Sequence, residues 1–507
     1  MFKRLFLICL SVICLFGCKV EEEAFSGIRF ETDNVIVEKG SEIELVVKYI
    51  NEDSVDTTSN IELSISESFE GTLSKTEIIS GDSVKITMPN ESGMICCLTA
   101  TCNGISESIC LGTLSTEISV YDSPIGFASV GAKENFGGLA KGESCTVVKT
   151  RDELISAVKN GGIIYIEGMI DMSDGMLPST GGGSTTKLDE FVASKTSYAN
   201  YAEWKNAYGS VSSSTDDRKR KTEDDYKYGP KSKYYEDLWK LNEAYKENIQ
   251  LNINSDTTII GIDENSGIKG VALSISSKNN ILLRNLVLQD GYDPFTHHES
   301  GDGFNAQFDL IGIQGSSKNI WIDHCTLEDT MKLSTAANGE KWQTYDGLCD
   351  MKASCKNITI SNCIFRNHDK TMLIGSSDSD GSNETRHITI CGNYFQNCGQ
   401  RLPMVRNAKT HIFNNYYANV SGGFYSTSYC IGNRAGALIV AENNYFNAGS
   451  SVSDSAGSLC ASGNRGLSNS GSYGKTFNPK EYYEYILDKP TDKPKENAGA
   501  GKLPVIQ

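Results

Sequence analysis

Four stretches decide the fold: KNITISNCIFR at 356–366, HITICGNYFQ at 387–396, KTHIFNNYYA at 409–418 and LIVAENNYFN at 438–447. Each has a short apolar run that leads through a polar turn into a second apolar or aromatic segment. Aligning these stretches with earlier ones gives one register residue per repeat, followed two positions later by an apolar residue. The register residues are Leu286, Cys325, Cys363, Asn393, Asn415 and Asn444, and their followers are Leu288, Leu327, Phe365, Phe395, Tyr417 and Phe446.

The spacing of the register residues predicts a parallel β-helix. It runs from 22 residues, between Asn393 and Asn415, to 39 residues, between Leu286 and Cys325. The shortest interval is close to one bare coil, so we interpret the excess in the others as insertions at the turns, where function should lie. Asn393, Asn415 and Asn444 share one register, which predicts a structural ladder of stacked amides inside the solenoid.

The chain around this repeat divides into further segments. We expect an all-β protein in which a solenoid domain at 122–507, with an insertion at 178–250, follows a small β-sandwich at 27–121. The sandwich resembles bacterial immunoglobulin-like modules, which favours a spacer role. Within the insertion, helical spacing predicts a helix packed on the scaffold; the residues concerned are Tyr234, Leu238, Leu241 and Tyr245.

The N-terminus is typical of a bacterial export signal. Residues 1–17 combine Lys3 and Arg4 with an apolar run too short to span a membrane, and 15–18 resemble a lipobox ending at Cys18. We therefore expect a lipoprotein signal peptide, an acidic tether at 18–26, and a secreted protein anchored by lipid at the cell envelope, at the outer membrane or cell surface. The alternative is an ordinary signal peptide with a chance cysteine.

Composition excludes several classes of partner. The net charge of −17 argues against nucleic acid and against anionic membrane, apart from the lipid anchor at Cys18. Of the 16 cysteines, removal of the leader and lipidation of Cys18 leave an odd number, so complete pairing is impossible. We interpret cysteines within strands as small buried residues, and we expect a monomer.

Register arithmetic brings acidic and basic residues together. Asp309 precedes Cys325 by 16 residues and Asp346 precedes Cys363 by 17, so both carboxylates should lie at similar heights in adjacent coils. Asp350 adds a third carboxylate, and three such groups suit a hard cation such as Ca²⁺. Lys370, seven after Cys363, and Arg401, eight after Asn393, form a similar pair of cations, with Arg406 nearby. Solvated acids and surface salt bridges remain the alternatives at this point.

Five motifs, in order, resemble the signature blocks of the pectate lyases of polysaccharide lyase family one. They are WIDH at 321–324, DGLCD at 346–350, HDKTMLIGSSDSD from His368, RLPMVR at 401–406 and NAGAG at 497–501. The resemblance implies a right-handed parallel β-helix and calcium-dependent β-elimination of polygalacturonate. It implies calcium ligands at Asp309, Asp346 and Asp350, substrate-binding cations at Lys370 and Arg406, and a base at Arg401.

One position departs from the family pattern, and some others have a structural interpretation instead of a catalytic one. Gln307 stands where some members carry an acid, which leaves any additional calcium open. We interpret Asp323 and His324 as structural, with His324 facing away from Asp323 by strand alternation. The adjacent pair His297–His298 is weak as a metal site for the same geometric reason.

Three rival functions are carried alongside pectate lyase. A pectin lyase acting on methyl-esterified polymer has no use for three aspartates, and a polygalacturonase would need paired carboxylates and family blocks that are missing. A non-catalytic, glycan-binding surface lipoprotein is favoured by the leader and the sandwich module, but binding alone would not require Arg401.

Overall fold

The computed structural model describes the chain from residue 119 to 503, except for 212–231, 300 and 468–470. Before residue 119 it describes 27–30, 35–37, 40–51, 54–56, 62–67, 75–80, 83–88, 95–102, 104–113 and 116. The expected signal peptide at 1–17, Cys18 and the tether at 18–26 lie outside the described residues, so the lipid anchor stays a prediction. Within the described part, no helix has the length and apolar character needed to cross a bilayer.

Two small sheets form before residue 114. The first contains β1 (Gly27–Phe30), β3 (Glu42–Asn51), β4 (Ser54–Asp56), β6 (Lys75–Ser80) and β7 (Ser83–Thr87). The second contains β2 (Val35–Ile36), β5 (Glu62–Glu67), β8 (Ile95–Cys102) and β9 (Ile105–Gly112). Leu45, Val84 and Leu98 belong to one buried core that both sheets share. The immunoglobulin-like assignment of this segment and its extent over 27–121 stay predictions.

Three parallel sheets form the solenoid. Sheet I contains β10 (Cys145–Val148), β11 (Gly162–Ile166), β14 (Thr257–Gly261), β17 (Asn279–Arg284), β22 (Lys318–Asp323), β27 (Lys356–Ser361), β30 (His387–Cys391), β33 (Lys409–Phe413), β36 (Leu438–Glu442) and β39 (Ser458–Ser462). Sheet II contains β12 (Met169–Asp171), β15 (Gly267–Lys269), β18 (Val287–Gln289), β23 (Thr326–Glu328), β28 (Ile364–Arg366), β31 (Tyr394–Gln396), β34 (Tyr416–Ala418) and β37 (Tyr445–Asn447). Sheet III contains β13 (Gln250–Asn252), β16 (Ala272–Ser276), β21 (Ile311–Gln314), β26 (Cys349–Met351), β29 (Leu373–Ile374), β32 (Met404–Val405), β35 (Tyr429–Asn433) and β38 (Ser450–Ser453).

The chain passes from sheet I to sheet II to sheet III and then begins the next coil. This path is the expected right-handed parallel β-helix, and parallel pairing begins at β10, earlier than the repeat is visible in the sequence. Pairing in sheet II confirms the predicted register, because Leu288 lies opposite Leu327 and Leu327 lies opposite Phe365. The long insertions fall between sheets II and III.

From β17 to β37, two-residue turns connect sheet I to sheet II, and the first turn residue has a positive φ. Asn285, Asn362, Asn414 and Asn443 take this position at φ between 51° and 57°. Asparagine tolerates this left-handed conformation better than most residues do. His324 occupies the same position at φ 48°. The expectation that strand alternation turns His324 away from Asp323 is therefore wrong, because His324 lies in the turn and its Nδ1 is 2.6 Å from Asp323 Oδ2.

The second turn residues form the predicted amide ladder. Asn393 Nδ2 donates to Asn415 Oδ1 at 3.0 Å, and Asn415 Nδ2 donates to Asn444 Oδ1 at 2.9 Å. Asn464 extends the ladder by accepting from Asn444 Nδ2 at 2.9 Å. The backbone N–H of Asn393 also donates to Asn415 Oδ1, so each amide satisfies two donors of the preceding coil. The follower residues stack beside the ladder, with Phe395 and Tyr417 centroids 4.8 Å apart.

Residues 126–138 form a strap across the outer face of sheet I. Its backbone N–H groups donate to side chains of different coils: Phe127 to Thr389, Ala128 to Thr359, Gly137 to Asn280 and Gly138 to Thr258. A Cβ on Gly138 would lie 2.3 Å from the Gly162 backbone, so only glycine allows this approach.

A buried ion pair lies beside the strap. Arg284 Nε donates to Asp323 Oδ2 at 2.8 Å, and Arg284 also binds the Ser119 carbonyl and Asp122. Burial would raise the pKa of Asp323, but the charges of Arg284 and His324 outweigh it and hold that pKa well below its usual range. These contacts support the structural interpretation of Asp323 and His324.

A helical layer covers the first coils beside sheet III. Helix α1 (Arg151–Asn160) precedes it, and the insertion contributes α2 (Thr186–Lys195), α3 (Tyr201–Gly209) and α4 (Ser232–Ile249), while α5 (Pro494–Asn497) lies near the C-terminus. A small sheet joins the layer; its strands are β19 (His297–Glu299), β20 (Gly303–Asn305), β25 (Lys341–Gln343) and β24 (Ser334–Thr335). Helix α4 buries Tyr234, Leu238, Leu241 and Tyr245, which confirms the predicted helix. Within the solenoid strands, Cys349, Cys391 and Cys430 are buried free thiols, also as expected.

We predict that the ladder stabilises the solenoid. Asn415→Ala should lower the free energy of unfolding by about 2–4 kcal/mol, because it leaves the buried donors of Asn393 without acceptors. Asn464→Ala should cost less, since Asn464 is half-buried and water can replace part of its bonding. Urea unfolding of both variants measures the difference. Equal losses would contradict the assignment.

Candidate active site

The three expected acids gather where turns from sheet II enter sheet III. Asp309 precedes β21, Asp346 precedes β26, and Asp350 lies within β26. Gly347 N donates to Asp309 Oδ1 at 3.2 Å, so Asp309 and Asp346 come from neighbouring coils, as the spacing predicted. Asp350 lies opposite Gly312 in the adjacent strand, and the missing side chain of that glycine leaves room in front of the acids.

Lys352 lies between two of the acids. Its Nζ is 2.8 Å from Asp309 Oδ2 and 3.1 Å from Asp350 Oδ2. Burial raises the pKa of Asp309 well above its usual value, and the charge of Asp350 raises it further, while Lys352 acts in the opposite direction. Although burial lowers the pKa of Lys352, the charges of the three acids raise it above its usual range. The ammonium therefore offsets the repulsion between the carboxylates.

Asp346 faces the basic residues. Lys370 Nζ lies 3.5 Å from Asp346 Oδ1 and donates to Asn305 Oδ1 at 2.6 Å. Burial alone would raise the pKa of the Asp346 carboxyl. The positive charges of three neighbours outweigh that effect and lower it; these are Lys370, Lys352 and Arg401. The predicted association of the basic pair with the acids is thus present in the structure.

Arg401 lies on the coil after Lys370. Lys370 bridges to Gln400 in parallel register, which brings Arg401 beside it as predicted. Arg401 has φ 62°, a left-handed conformation that costs an arginine about 1–2 kcal/mol. Its Nε is buried and has no hydrogen-bond acceptor among the described residues. A strained residue with an unused buried donor is typical of a site that binds an anionic ligand.

Arg406 lies farther along the same face. It follows β32 as Lys352 follows β26, and one strand, β29, separates them. Strands about 4.8 Å apart put these backbones about 10 Å from each other. Arg406 Nε donates to the exposed carboxylate of Asp378 at 2.9 Å, so a ligand at this edge of the site would share or replace that partner.

A histidine supports the backbone of Asp346. His368 Nε2 donates to the Asp346 carbonyl at 2.7 Å, and its Nδ1 is 2.8 Å from Asp329 Oδ2. Burial raises the pKa of Asp329 to about 6 against the opposing charge of His368. Burial lowers the pKa of His368, but the charge of Asp329 outweighs this and the net shift is upward. The pair fixes the turn that carries Asp346.

The donor set is compatible with a hard divalent cation. Carboxylate oxygens are the ligands that Ca²⁺ prefers, and Asp309 and Asp350 lie close enough to share the Lys352 ammonium. With Lys352 between them, however, no three His, Cys, Asp or Glu side chains in the described part of the chain stand close enough to form a metal site by themselves. An ion would therefore share the acids with Lys352 or displace its ammonium.

Sequence reasoning missed four of these residues, and three of them had a signal. Lys352 follows Asp350 by two positions, so strand alternation puts both on one face. Asp329 and His368 lie four and five residues after the register residues Cys325 and Cys363, so the same arithmetic would have paired them. Asn305 had no signal, because its position depends on how β19 and β20 pair.

Comparison with known proteins agrees with this geometry. A family model described as pectate lyase matches residues 241–483. Pectate lyase D of Dickeya chrysanthemi is 38% identical over 207 residues, which are 40% of this chain and 53% of that protein. The chain thus spans about half the length of the curated relatives it matches first.

Two further proteins are similar over more of their length. A solved pectate lyase with a bound hexasaccharide has a TM-score of 0.57 and 28% identity, covering 76% of this chain and 98% of that one. The pectate lyase of Bacillus subtilis strain 168 is 31% identical over 345 residues, which are 63% of this chain and 76% of that protein. The chain has a parallel β-helix with this cluster of acids and cations, and its 31% identity to that relative extends over 76% of the relative's length. It therefore belongs to the pectate lyase family.

Proposed function

We propose that this protein is a calcium-dependent pectate lyase that cleaves α-1,4-linked polygalacturonate by β-elimination. One observation carries the proposal: Asp346 lies among Lys370, Lys352 and Arg401, next to Asp309 and Asp350. A uronate substrate needs such a mixture, because a cation bridged by acids can hold its carboxylate while basic side chains face the charge that develops during the reaction. Family membership and the hexasaccharide bound to a similar pectate lyase support a polysaccharide as the substrate.

The acids and the lysines would have separate tasks. Asp309, Asp346 and Asp350 would hold the calcium ion, which supplies positive charge to the substrate carboxylate and so makes the C5 proton more acidic. Lys370 is oriented by its hydrogen bond to Asn305 and would face the same carboxylate. Charge that builds up on that group during proton loss is then stabilised by a side chain already in position.

Arg401 would be the base. Its Nε is buried and has no acceptor in the described chain, which leaves that donor to a bound ligand. Arginine keeps its proton at neutral pH in ordinary settings, so we expect activity to rise toward alkaline pH. Removal of the C5 proton by Arg401 and cleavage of the C4–O4 bond would leave a 4,5-unsaturated sugar end, and the departing O4 would take a proton from water. Arg406, at the edge of the site, would bind a neighbouring uronate.

Localisation is part of the proposal. The leader at 1–17 and the lipobox at 15–18 support export and a lipid anchor at Cys18, which would hold the enzyme at the cell envelope. The sandwich before residue 114 would then separate the catalytic solenoid from the membrane surface.

An activity assay distinguishes a lyase from a hydrolase and from a protein that only binds glycans. Incubating the purified protein with polygalacturonate and calcium should increase the ultraviolet absorbance of the unsaturated product, and a chelator should abolish the increase. New reducing ends without absorbance would indicate a hydrolase, and binding without either would indicate a glycan-binding protein. Equal rates with and without chelator would contradict calcium dependence.

The second prediction concerns Asp350. Asp350→Asn can still accept from Leu373 N, as Asp350 Oδ1 does at 2.9 Å, but it removes one charge. We expect calcium affinity in titration calorimetry to fall at least about tenfold, and excess calcium to restore part of the activity. Asp152→Asn, an exposed acid on α1, is the control and should bind calcium like the wild type. Unchanged calcium affinity of Asp350→Asn would remove Asp350 from the ligand set.

The third prediction separates Arg401 from Arg406. If Arg401 is the base, Arg401→Lys should lower kcat by at least about a hundredfold while substrate still binds. Arg406→Lys should mainly raise KM, because Arg406 lies at the edge of the site. The base assignment fails if Arg401→Lys keeps more than about a tenth of wild-type kcat, which corresponds to a loss of only about 1.4 kcal/mol.

A further inference from the structure

A polar pocket lies beside the acidic cluster, between helix α4 and sheet III. Its volume is about 360 Å³, and Asp309 forms part of the wall that it shares with the candidate active site. Most of the other lining groups carry an ammonium, an amide or a hydroxyl: Lys246, Gln250, Ser274, Gln307, Gln314 and Lys352. The size lies within the range of pockets that hold small ligands.

The insertion supplies one wall of this pocket and is held firmly against the other. Lys246 is in the last turn of α4, and Gln250 begins β13 directly after it. Asn242, one helical turn before Lys246, is buried and donates to both carboxylate oxygens of Asp293 at 3.1 and 3.2 Å. Asp293 in turn accepts from Gln307 N at 2.9 Å. The helix is therefore tied to the segment that carries Asp309.

Aromatic packing strengthens the same connection. The ring of Tyr245 stacks on Phe308, the residue before Asp309, with centroids 6.4 Å apart. Lys246 follows Tyr245 directly in the helix, so its backbone has a defined position relative to Asp309. Such pre-organisation reduces the entropy lost when a ligand binds.

The charge of the pocket suits an anionic sugar. Among the described lining residues Lys246 and Lys352 are the two cations and Asp309 is the one acid. Lys352 is already paired with both Asp309 and Asp350, so recognition of an anion in the pocket falls to Lys246. Amide side chains offer both donors and acceptors, which is what sugar hydroxyls require. A carboxylate beside the Lys246 ammonium gains charge-assisted hydrogen bonds that its methyl ester cannot form.

We propose that this pocket binds a second, de-esterified uronate unit of the polymer, next to the unit that reacts, and that Lys246 recognises its carboxylate. The inference rests on the proposed function and assigns the helical insertion a role in substrate selection. Lys246 is then a specificity-determining residue that takes no part in proton transfer.

The test compares Lys246→Gln with Lys246→Arg in the full-length, calcium-loaded protein. On polygalacturonate, Lys246→Gln should raise KM by about three- to tenfold at nearly unchanged kcat, because it removes one binding charge. Lys246→Arg keeps the charge and should have a KM close to that of the wild type. On partly methyl-esterified pectin, which the enzyme can still cleave at free uronates, the KM values of the two variants should differ less. Lys187→Gln, an exposed lysine on α2 outside the pocket lining, is the matched control and should behave as the wild type.

A second variant keeps the proposal testable if Lys246→Gln folds poorly. Gln250→Glu puts a negative charge in the same pocket and should raise KM for polygalacturonate more than for the esterified polymer. Unchanged KM in both variants, or a fall in kcat alone, overturns the inference. Absence of lyase activity in the wild type would instead overturn the proposed function, so the two failures are distinguishable.

Discussion

The structure depends on the parallel register of its coils. Strands stacked about 4.8 Å apart must present the same kind of side chain at the same height, or the interior loses either packing or hydrogen bonds. Asn393, Asn415 and Asn444 satisfy this condition with amides, and Phe395 and Tyr417 satisfy it with aromatic rings. Since a coil cannot shift without breaking both rows, the turns above sheet III are held in fixed relative positions. Side chains far apart in sequence can then form one site.

The site uses that rigidity to keep charges together that would otherwise repel one another. Asp309 and Asp350 share Lys352, while Asp346 is surrounded by cations and has a lowered pKa. Acids interleaved with bases form an arrangement suited to a substrate that carries one carboxylate per sugar. His368 also supports the turn that carries Asp346, because it donates to the Asp346 backbone carbonyl. The Asp346 carboxylate is left to face the cations.

Much of this could be predicted from residue spacing, and the exceptions have physical reasons. Register arithmetic found Asp309 beside Asp346 and Lys370 beside Arg401, because in a solenoid equal offsets from a register residue mean equal heights. The same arithmetic could not find Asn305 or Lys246, which come from the hairpin and the helix that the insertions add, where no repeat applies. His324 was assigned to a strand because the apolar pattern does not mark the two-residue turn in which it lies. Its positive φ cannot be read from the sequence.

The strap at 126–138 changes how the solenoid should come apart. In a stack of repeats each coil touches only its neighbours, so the ends can fray one coil at a time. Here one short segment is hydrogen-bonded to β14, β17, β27 and β30, which belong to different coils. Opening any of these coils by itself breaks a contact with a segment that the others still hold. The strap therefore makes the middle of the stack, where the site lies, unfold as a single cooperative unit.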